Sequence, residues 1–365
     1  MAGATVQPIS GLHWSIMPSE KRIRVLVVDD SAIVRKILTD TLSGQPDLEV
    51  VGTAPDPYVA RDKILALQPD VLTLDIEMPR MDGLTFLKKL MHFRPMPVIV
   101  ISSLAQASCQ TAMQALTLGA VEVLAKPGGP YSVGELRTEL ANKIRAAAVS
   151  RVRCAAVPAS HNAPPHLQLG RLAPSTVIAI GASTGGTEAI AQILSQLPPG
   201  TPGTVITQHI PAGFSRAFAN RLDQMCPLQV KEAENGDTLV PGRVLVAPGD
   251  LHMVLRTAVD GYQVLVKTGP RVCYQRPSVD VMFSSVVEAV GARAVGVLLT
   301  GMGSDGAQGL LKMHHAGAYT IAQDESTCVV FGMPREAIRA GAADRVVPLP
   351  GIPQAILEAA QSRRA

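Results

Sequence analysis

Short apolar runs alternate along the chain with stretches whose apolar residues recur at helical spacing. Arg24–Val28, Leu48–Thr53, Val71–Leu74, Val98–Ile101 and Val121–Leu124 are runs of strand length rich in Val, Ile and Leu. After the first, Ser31 is placed to cap a helix carrying Ile33, Val34, Ile37, Leu38 and Leu42 on its inner face. Pro57–Leu67, Gly83–His92 (Leu84, Leu87, Leu90 and Met91 inward), Ser108–Leu118 and Ser132–Val149 predict four more helices. Strand and helix in strict alternation predict a doubly wound parallel sheet, covered on both faces.

The pattern breaks over residues 150–173. Pro158, Pro164 and Pro165 lie there with Arg151, Arg153 and Arg171 and no acid, which is a linker composition. The alternation then resumes. Thr176–Ile180, Thr204–Gln208, Val244–Val246 and Ala294–Leu299 predict strands; Thr187–Leu197, Phe214–Met225, Ser278–Val290 and Gln308–His315 predict helices. Met253–Leu255 and Gln263–Val266, either side of Asp260-Gly261, predict a hairpin. The expected organisation is an extension over 1–21, a first α/β domain over 22–149, a linker over 150–173 and a second α/β domain over 174–365. Met17 is a second candidate start.

Composition narrows the class. With 47% hydrophobic and 17% charged residues the chain is globular, and with 3% aromatics its cores must be aliphatic, as parallel sheets prefer. A net charge of +3 gives no support to nucleic-acid binding. No apolar run has membrane-spanning length, so no membrane insertion is expected. The five cysteines are odd in number and show no CxxC spacing, which reads as reduced thiols in a cytoplasmic protein.

Chemistry concentrates at strand ends. Asp29 and Asp30 end the first strand and Asp75 the third, on the carboxyl edge where such sheets bind ligands. Carboxylates brought together repel unless a hard cation such as Mg²⁺ relieves them. Ser102 and Lys126 end the next two strands, a hydroxyl and an ammonium suited to a phosphoryl group on Asp75. The motifs VVDDS (27–31), DIEMPRMDG (75–83), VIVISS (98–103) and Lys126-Pro127, in that order, resemble the receiver domain of bacterial response regulators. The resemblance implies a flavodoxin-like receiver with Asp75 as phosphoacceptor. It also implies Mg²⁺ on Asp30, Asp75 and the Glu77 carbonyl, and Ser102 as the switch hydroxyl.

In the second half, Gly181-Ala182-Ser183-Thr184-Gly185-Gly186 lies between a strand and a helix and matches a nucleophile elbow. A phosphate cradle is the rival reading. A P-loop needs a lysine where Thr187 stands, and a dinucleotide site needs an acid where the next strand ends in Gln208-His209. That strand end supplies His209, and the loop after Ala294–Leu299 supplies Asp305. A hydroxyl, an imidazole and a carboxylate at three strand ends make a candidate Ser-His-Asp site. The order differs from that of α/β-hydrolases. Of the other histidines, His252, His314 and His315 read as structural.

The motifs AIGASTGG (179–186), QHIPAGF (208–214), APGDLHM (247–253), LLTGMGSDGAQGL (298–310) and CVVFGMP (328–334) resemble the catalytic domain of the chemotaxis protein-glutamate methylesterase. The resemblance implies hydrolysis of glutamate γ-methyl esters, and deamidation of glutamines, on methyl-accepting chemoreceptors. Ser183 would be the nucleophile, His209 the base and Asp305 its orienter, with Thr184 and the Met302 N–H beside the reacting carbonyl and no cofactor in this domain. A chemotaxis sensor histidine kinase is the implied phosphodonor. Kept in view are a nucleotide-dependent output, a transcriptional regulator, which would want a helix-turn-helix, and a catalytically silent binding module.

Overall fold

The computed structural model describes residues 22–126, 133–151 and 175–362. The N-terminal extension, most of the linker and Pro127 lie outside them. In the first unit the strands are β1 (Ile23–Val28), β2 (Leu48–Ala54), β3 (Val71–Asp75), β4 (Val98–Ser102) and β5 (Glu122–Ala125). They alternate with α1 (Ala32–Ser43), α2 (Pro57–Leu67), α3 (Gly83–Phe93), α4 (Gln106–Thr117) and α5 (Val133–Ala148). The sheet is parallel, in the order β2-β1-β3-β4-β5, which is the flavodoxin-like order. Its central strands are buried along their whole length and apolar except for Thr73, Asp75 and Ser102, as expected between two helical layers.

Local signals end the elements where expected. Asp56, ahead of Pro57, accepts the N–H groups of Tyr58 and Val59 to start α2, and Asp82 accepts that of Thr85 to start α3. One expectation is corrected: Ile33 is 73% exposed. The buried stripe of α1 runs through Leu38, Thr41 and Leu42 with Val34 partly buried, and Ile33 falls about 100° to its side.

The second unit contains β6 (Val177–Ala182), α6 (Gly186–Leu194), β7 (Thr204–Gln208), α7 (Phe214–Met225), β8 (Gln229–Glu232), β9 (Thr238–Leu239) and β10 (Arg243–Val246). β11 (His252–Ala258), β12 (Gly261–Lys267), α8 (Val279–Val290), β13 (Ala294–Leu298) and α9 (Ala307–His315) follow. β14 (Tyr319–Gln323), α10 (Met333–Arg339), β15 (Arg345–Val347) and α11 (Ile352–Ser362) complete it. Seven strands form a parallel sheet in the order β15-β14-β13-β6-β7-β10-β8. The expected hairpin is β11–β12, extended by β9 into a three-stranded antiparallel sheet. Strands β8, β14 and β15 were not expected; β8 and β15 are edge strands carrying charged residues, which blurs their hydrophobic signal.

The strand order decides where chemistry can occur. β6 comes first in sequence yet sits mid-sheet, with β13 on one side and β7 on the other. The chain leaves its carboxyl end in opposite directions, making the crevice in which open α/β sheets bind ligands. No helix among the described residues is long and apolar enough to cross a membrane.

Candidate active site and phosphorylation pocket

At the carboxyl edge of the first sheet, Asp29, Asp30 and Asp75 offer carboxylate oxygens within 4.8 Å of one another. Lys126 Nζ lies 2.7 Å from Asp75 Oδ2 and 3.5 Å from Asp29 Oδ2. Burial pushes Asp75 up to about 6, with Lys126 and the Glu77 N–H pulling against it and the charge of Asp29 adding to it. Asp29 is raised too, burial being the largest cause. Its Oδ2 is buried without a hydrogen-bond partner among the described residues. Three carboxylates with one ammonium leave negative charge uncompensated, and the oxygen-only donor set fits a hard divalent ion. Ser102 is buried and its hydroxyl donates weakly to the Ser103 and Ser108 carbonyls, 3.5 and 3.4 Å away. The Glu77 side chain is drawn to the hydroxyls of Ser103 and Ser108.

At the second edge, β6 delivers Ser183, β7 delivers His209 and the loop after β13 delivers Asp305. His209 Nε2 lies 2.8 Å from Asp305 Oδ2, both side chains 2% exposed. A carboxylate only accepts, so the proton of this contact is on Nε2 and Nδ1 keeps its lone pair. Nδ1 is buried and without a partner among the described residues, the state a general base needs before substrate arrives. Ser183 is 5% exposed, and its N–H donates to the Thr300 carbonyl at 3.0 Å. The close approach of two loops requires glycine at 301, where a Cβ would fall 2.6 Å from Ser183 Cβ.

Asp305 is held by the start of α8. Its Oδ1 accepts from Ser278 Oγ at 2.8 Å and the Asp280 N–H at 3.0 Å, and its Oδ2 from the Val279 N–H at 2.7 Å. Burial raises this carboxyl, but the hydrogen bond and charge of His209 and the two helix N–H groups outweigh it, leaving Asp305 below the ordinary carboxylate value. His252 supports α8 from behind: its Nδ1 accepts the Ser278 N–H and its Nε2 donates to the Pro270 carbonyl. That is the structural role expected of it. Met302 follows Gly301 at the rim, 37% exposed. The N–H groups of Thr184 and Met302 donate to no acceptor among the described residues.

A response regulator receiver family model matches residues 25–138, and a CheB methylesterase family model matches residues 178–356. The protein-glutamate methylesterase/protein-glutamine glutaminase 2 of Syntrophus aciditrophicus (strain SB) is 54% identical over 338 residues, 92% of this chain and 98% of its own. Number 4 of Anaeromyxobacter dehalogenans (strain 2CP-C) is 56% identical over 341 residues, 93% and 96% of the two chains. The chain belongs to the protein-glutamate methylesterase/protein-glutamine glutaminase family. The solved CheB methylesterase catalytic domain of Thermotoga maritima superposes with a TM-score of 0.50 at 38% identity, over 51% of this chain and 99% of that one.

Two features of this methylesterase had no clear signal in sequence. The first is a contact between its two sheets. Thr184, beside Ser183, turns its hydroxyl to Glu122 Oε2 of β5 at 3.1 Å, and the same oxygen is paired with Lys143 of α5 at 2.7 Å. Leu104 and Cys109, before and within α4, come up against Gly213 at the start of α7. The receiver face formed by α4, β5 and α5 therefore lies on the edge that carries Ser183. Cys109, Cys226, Cys273 and Cys328 are free, and burial pushes Cys226 up to about 11 and Cys328 up to about 12. Cys154 lies outside the described residues.

The second feature is Gln208, 1% exposed, whose amide nitrogen donates to the carbonyls of both Ser183 (2.9 Å) and His209 (3.1 Å). One side chain thus ties the backbone of Ser183 to that of His209. Replacing Gln208 by Leu keeps most of the volume and removes both bonds. The expected result is a fall in kcat for methanol release of about 10- to 100-fold with KM nearly unchanged, because misplacing a reacting group by about 1 Å costs that much. A lower melting temperature with kcat intact would confine this amide to packing.

Proposed function

We propose that Ser183, His209 and Asp305 carry out the ester hydrolysis of this methylesterase family, and that phosphorylation of Asp75 controls access to them. The observation that carries the first part is the 2.8 Å His209–Asp305 contact on the strand ends flanking the one that presents Ser183. Ser183 attacks the carbonyl of a glutamate γ-methyl ester while His209 Nδ1 takes its proton. Asp305 fixes the ring and stabilises its charged form. The N–H groups of Met302 and Thr184 face the developing oxyanion. His209 returns the proton to the methoxide leaving group, and methanol departs. Water activated by His209 then releases the glutamate. A glutamine side chain takes the same route and loses ammonia.

The substrates are the cytoplasmic helices of methyl-accepting chemoreceptors and the phosphodonor is a chemotaxis sensor histidine kinase, which sets the protein in the cytoplasm. Asp30, Asp75 and the Glu77 carbonyl would hold Mg²⁺, which when bound neutralises charge on the phosphoryl oxygens. Lys126 reaches the same oxygens, and Ser102, freed from its weak carbonyl bonds, completes their shell. The Thr184–Glu122–Lys143 contact supports a closed resting state that a rearranged α4–β5–α5 face releases.

The test is methanol release from a methylated receptor fragment by the full chain, with and without a small phosphodonor and Mg²⁺. Asp75→Asn is expected to keep the basal rate and lose the stimulation. Full stimulation of that variant would remove Asp75 from the phosphoacceptor role. No release by the native chain under either condition would overturn the substrate assignment.

A further inference from the structure

Of the four donors to Asp305, two are the backbone N–H groups of Val279 and Asp280 and one is His209. The fourth is the hydroxyl of Ser278, 2.8 Å from Oδ1, on a residue 1% exposed. Ser278 is also the N-cap of α8, with extended backbone, and a serine there ordinarily serves the helix. Two distances rank its tasks. Its oxygen accepts from the Val281 N–H at 3.4 Å, longer than an ordinary N–H bond. Its proton goes to Asp305 at 2.8 Å, the ordinary length for a hydroxyl donor. The hydroxyl is aimed at the carboxylate first and at the helix second.

Ser278 is itself held from behind. Buried His252 donates from Nε2 to the Pro270 carbonyl at 2.9 Å, so its Nδ1 is bare and accepts the Ser278 N–H at 3.2 Å. The carboxylate needs this anchor because a second one stands beside it. Asp280 offers an oxygen within 4.8 Å of one of Asp305. Burial, with the charge of Asp305 adding to it, raises Asp280 above its ordinary value, while the N–H groups of Gly309 and Gly306 and the charge of Lys312 pull against it. Without the hydroxyl, Oδ1 of Asp305 keeps only the Asp280 N–H, and the carboxylate can turn. The His209 ring turns with it, because Oδ2 of the same carboxylate carries the Nε2 contact.

We propose, resting on the hydrolase reading given above, that Ser278 is a positioning residue for the reaction: its hydroxyl fixes the plane of the Asp305 carboxylate and, through it, the His209 ring relative to Ser183. Ser278 touches no reacting atom. Its hydroxyl raises the fraction of the enzyme in which the base is aligned, so its loss slows turnover and leaves substrate binding alone.

Ser278→Thr, Ser278→Gly and Ser278→Ala separate this role from helix capping. Threonine and glycine cap a helix nearly as well as serine, alanine does not, and only threonine keeps the hydroxyl. Methanol release from a methylated receptor fragment is measured on the phosphodonor-treated full chain, alongside thermal melting. The expected result is a kcat about tenfold lower in both the glycine and the alanine variants, with KM within about twofold and the threonine variant within about threefold of native. Melting is expected to divide the same variants differently, with alanine lowest. The glycine variant decides between the roles, because it keeps the cap and lacks the hydroxyl. If its kcat stays with threonine and native, Ser278 is only a cap and the positioning role is overturned. Native kcat in the alanine variant, or a loss confined to KM, overturns it too and leaves the hydrolase intact. A native chain that releases no methanol sinks the hydrolase reading, and this role with it.

Discussion

Ser183→Ala is expected to reduce methanol release by about 10⁴-fold or more, with melting temperature and Asp75 phosphorylation unchanged. The substitution deletes one oxygen. The Cβ that meets Gly301 stays, and so do the N–H bond to Thr300 and the carbonyl bonds to Gly186 and Gln208, since these use backbone atoms of residue 183. Without the hydroxyl, His209 Nδ1 has no proton to take and no covalent intermediate forms. Remaining activity measures what the N–H groups of Thr184 and Met302 achieve with water alone. Parallel assays of methanol release, thermal melting and phosphate incorporation check the prediction. An alanine variant with more than about 1% of native turnover would show that another group is the nucleophile.

Asp305→Asn is expected to cost about 10⁴-fold in kcat, and unlike Ser183→Ala it also destabilises the fold. The carboxylate accepts from four donors, two on each oxygen. An asparagine accepts through one oxygen only. With its oxygen toward Ser278 and Asp280, its amide opposes the Val279 N–H and His209 Nε2–H, and the imidazole is driven to the wrong tautomer. Reversed, it opposes Ser278 and Asp280 at the start of α8. Each buried donor left without an acceptor costs about 1–3 kcal/mol. The pH dependence follows from the same bonds. Asp305 titrates below the ordinary carboxylate value, so its ionised form stabilises the native state at pH above about 4, and that contribution is lost as pH falls through its native pKa. Melting between neutral and strongly acidic pH is expected to show a shallower acid decline in the variant. Equal slopes would mean that the carboxylate is not held in this way.

How far such roles could be read in advance differs residue by residue. The periodic alternation identified both parallel sheets, because strands buried on two faces are continuous apolar runs and their helices carry a stripe every 3.6 residues. It misplaced Ile33, which lies one residue off the stripe, and it did not register β8 and β15, whose edge positions admit charge. The gathering of Asp29, Asp30, Asp75 and Lys126 on one edge, and of Ser183, His209 and Asp305 on the other, was legible for a topological reason. A parallel sheet sends every strand's carboxyl end to the same edge, so residues that end strands share that edge whatever their separation in sequence.

Contacts made across the edge had no such signal. Glu122 begins β5, far in sequence from Thr184, and only the docking of one sheet on the other brings them to 3.1 Å. Ser278 and the first N–H groups of α8 reach Asp305 because β13 lies beside β6, an order that periodicity does not encode. Sequence by itself determined the elements that are buried on both faces or carry a clear apolar stripe, the chemistry available and the edge on which it gathers, since local pattern and strand direction are properties of short segments. The tertiary structure alone decided which groups hold that chemistry in place and what covers it, because strand order and domain docking follow from the packing of the whole chain.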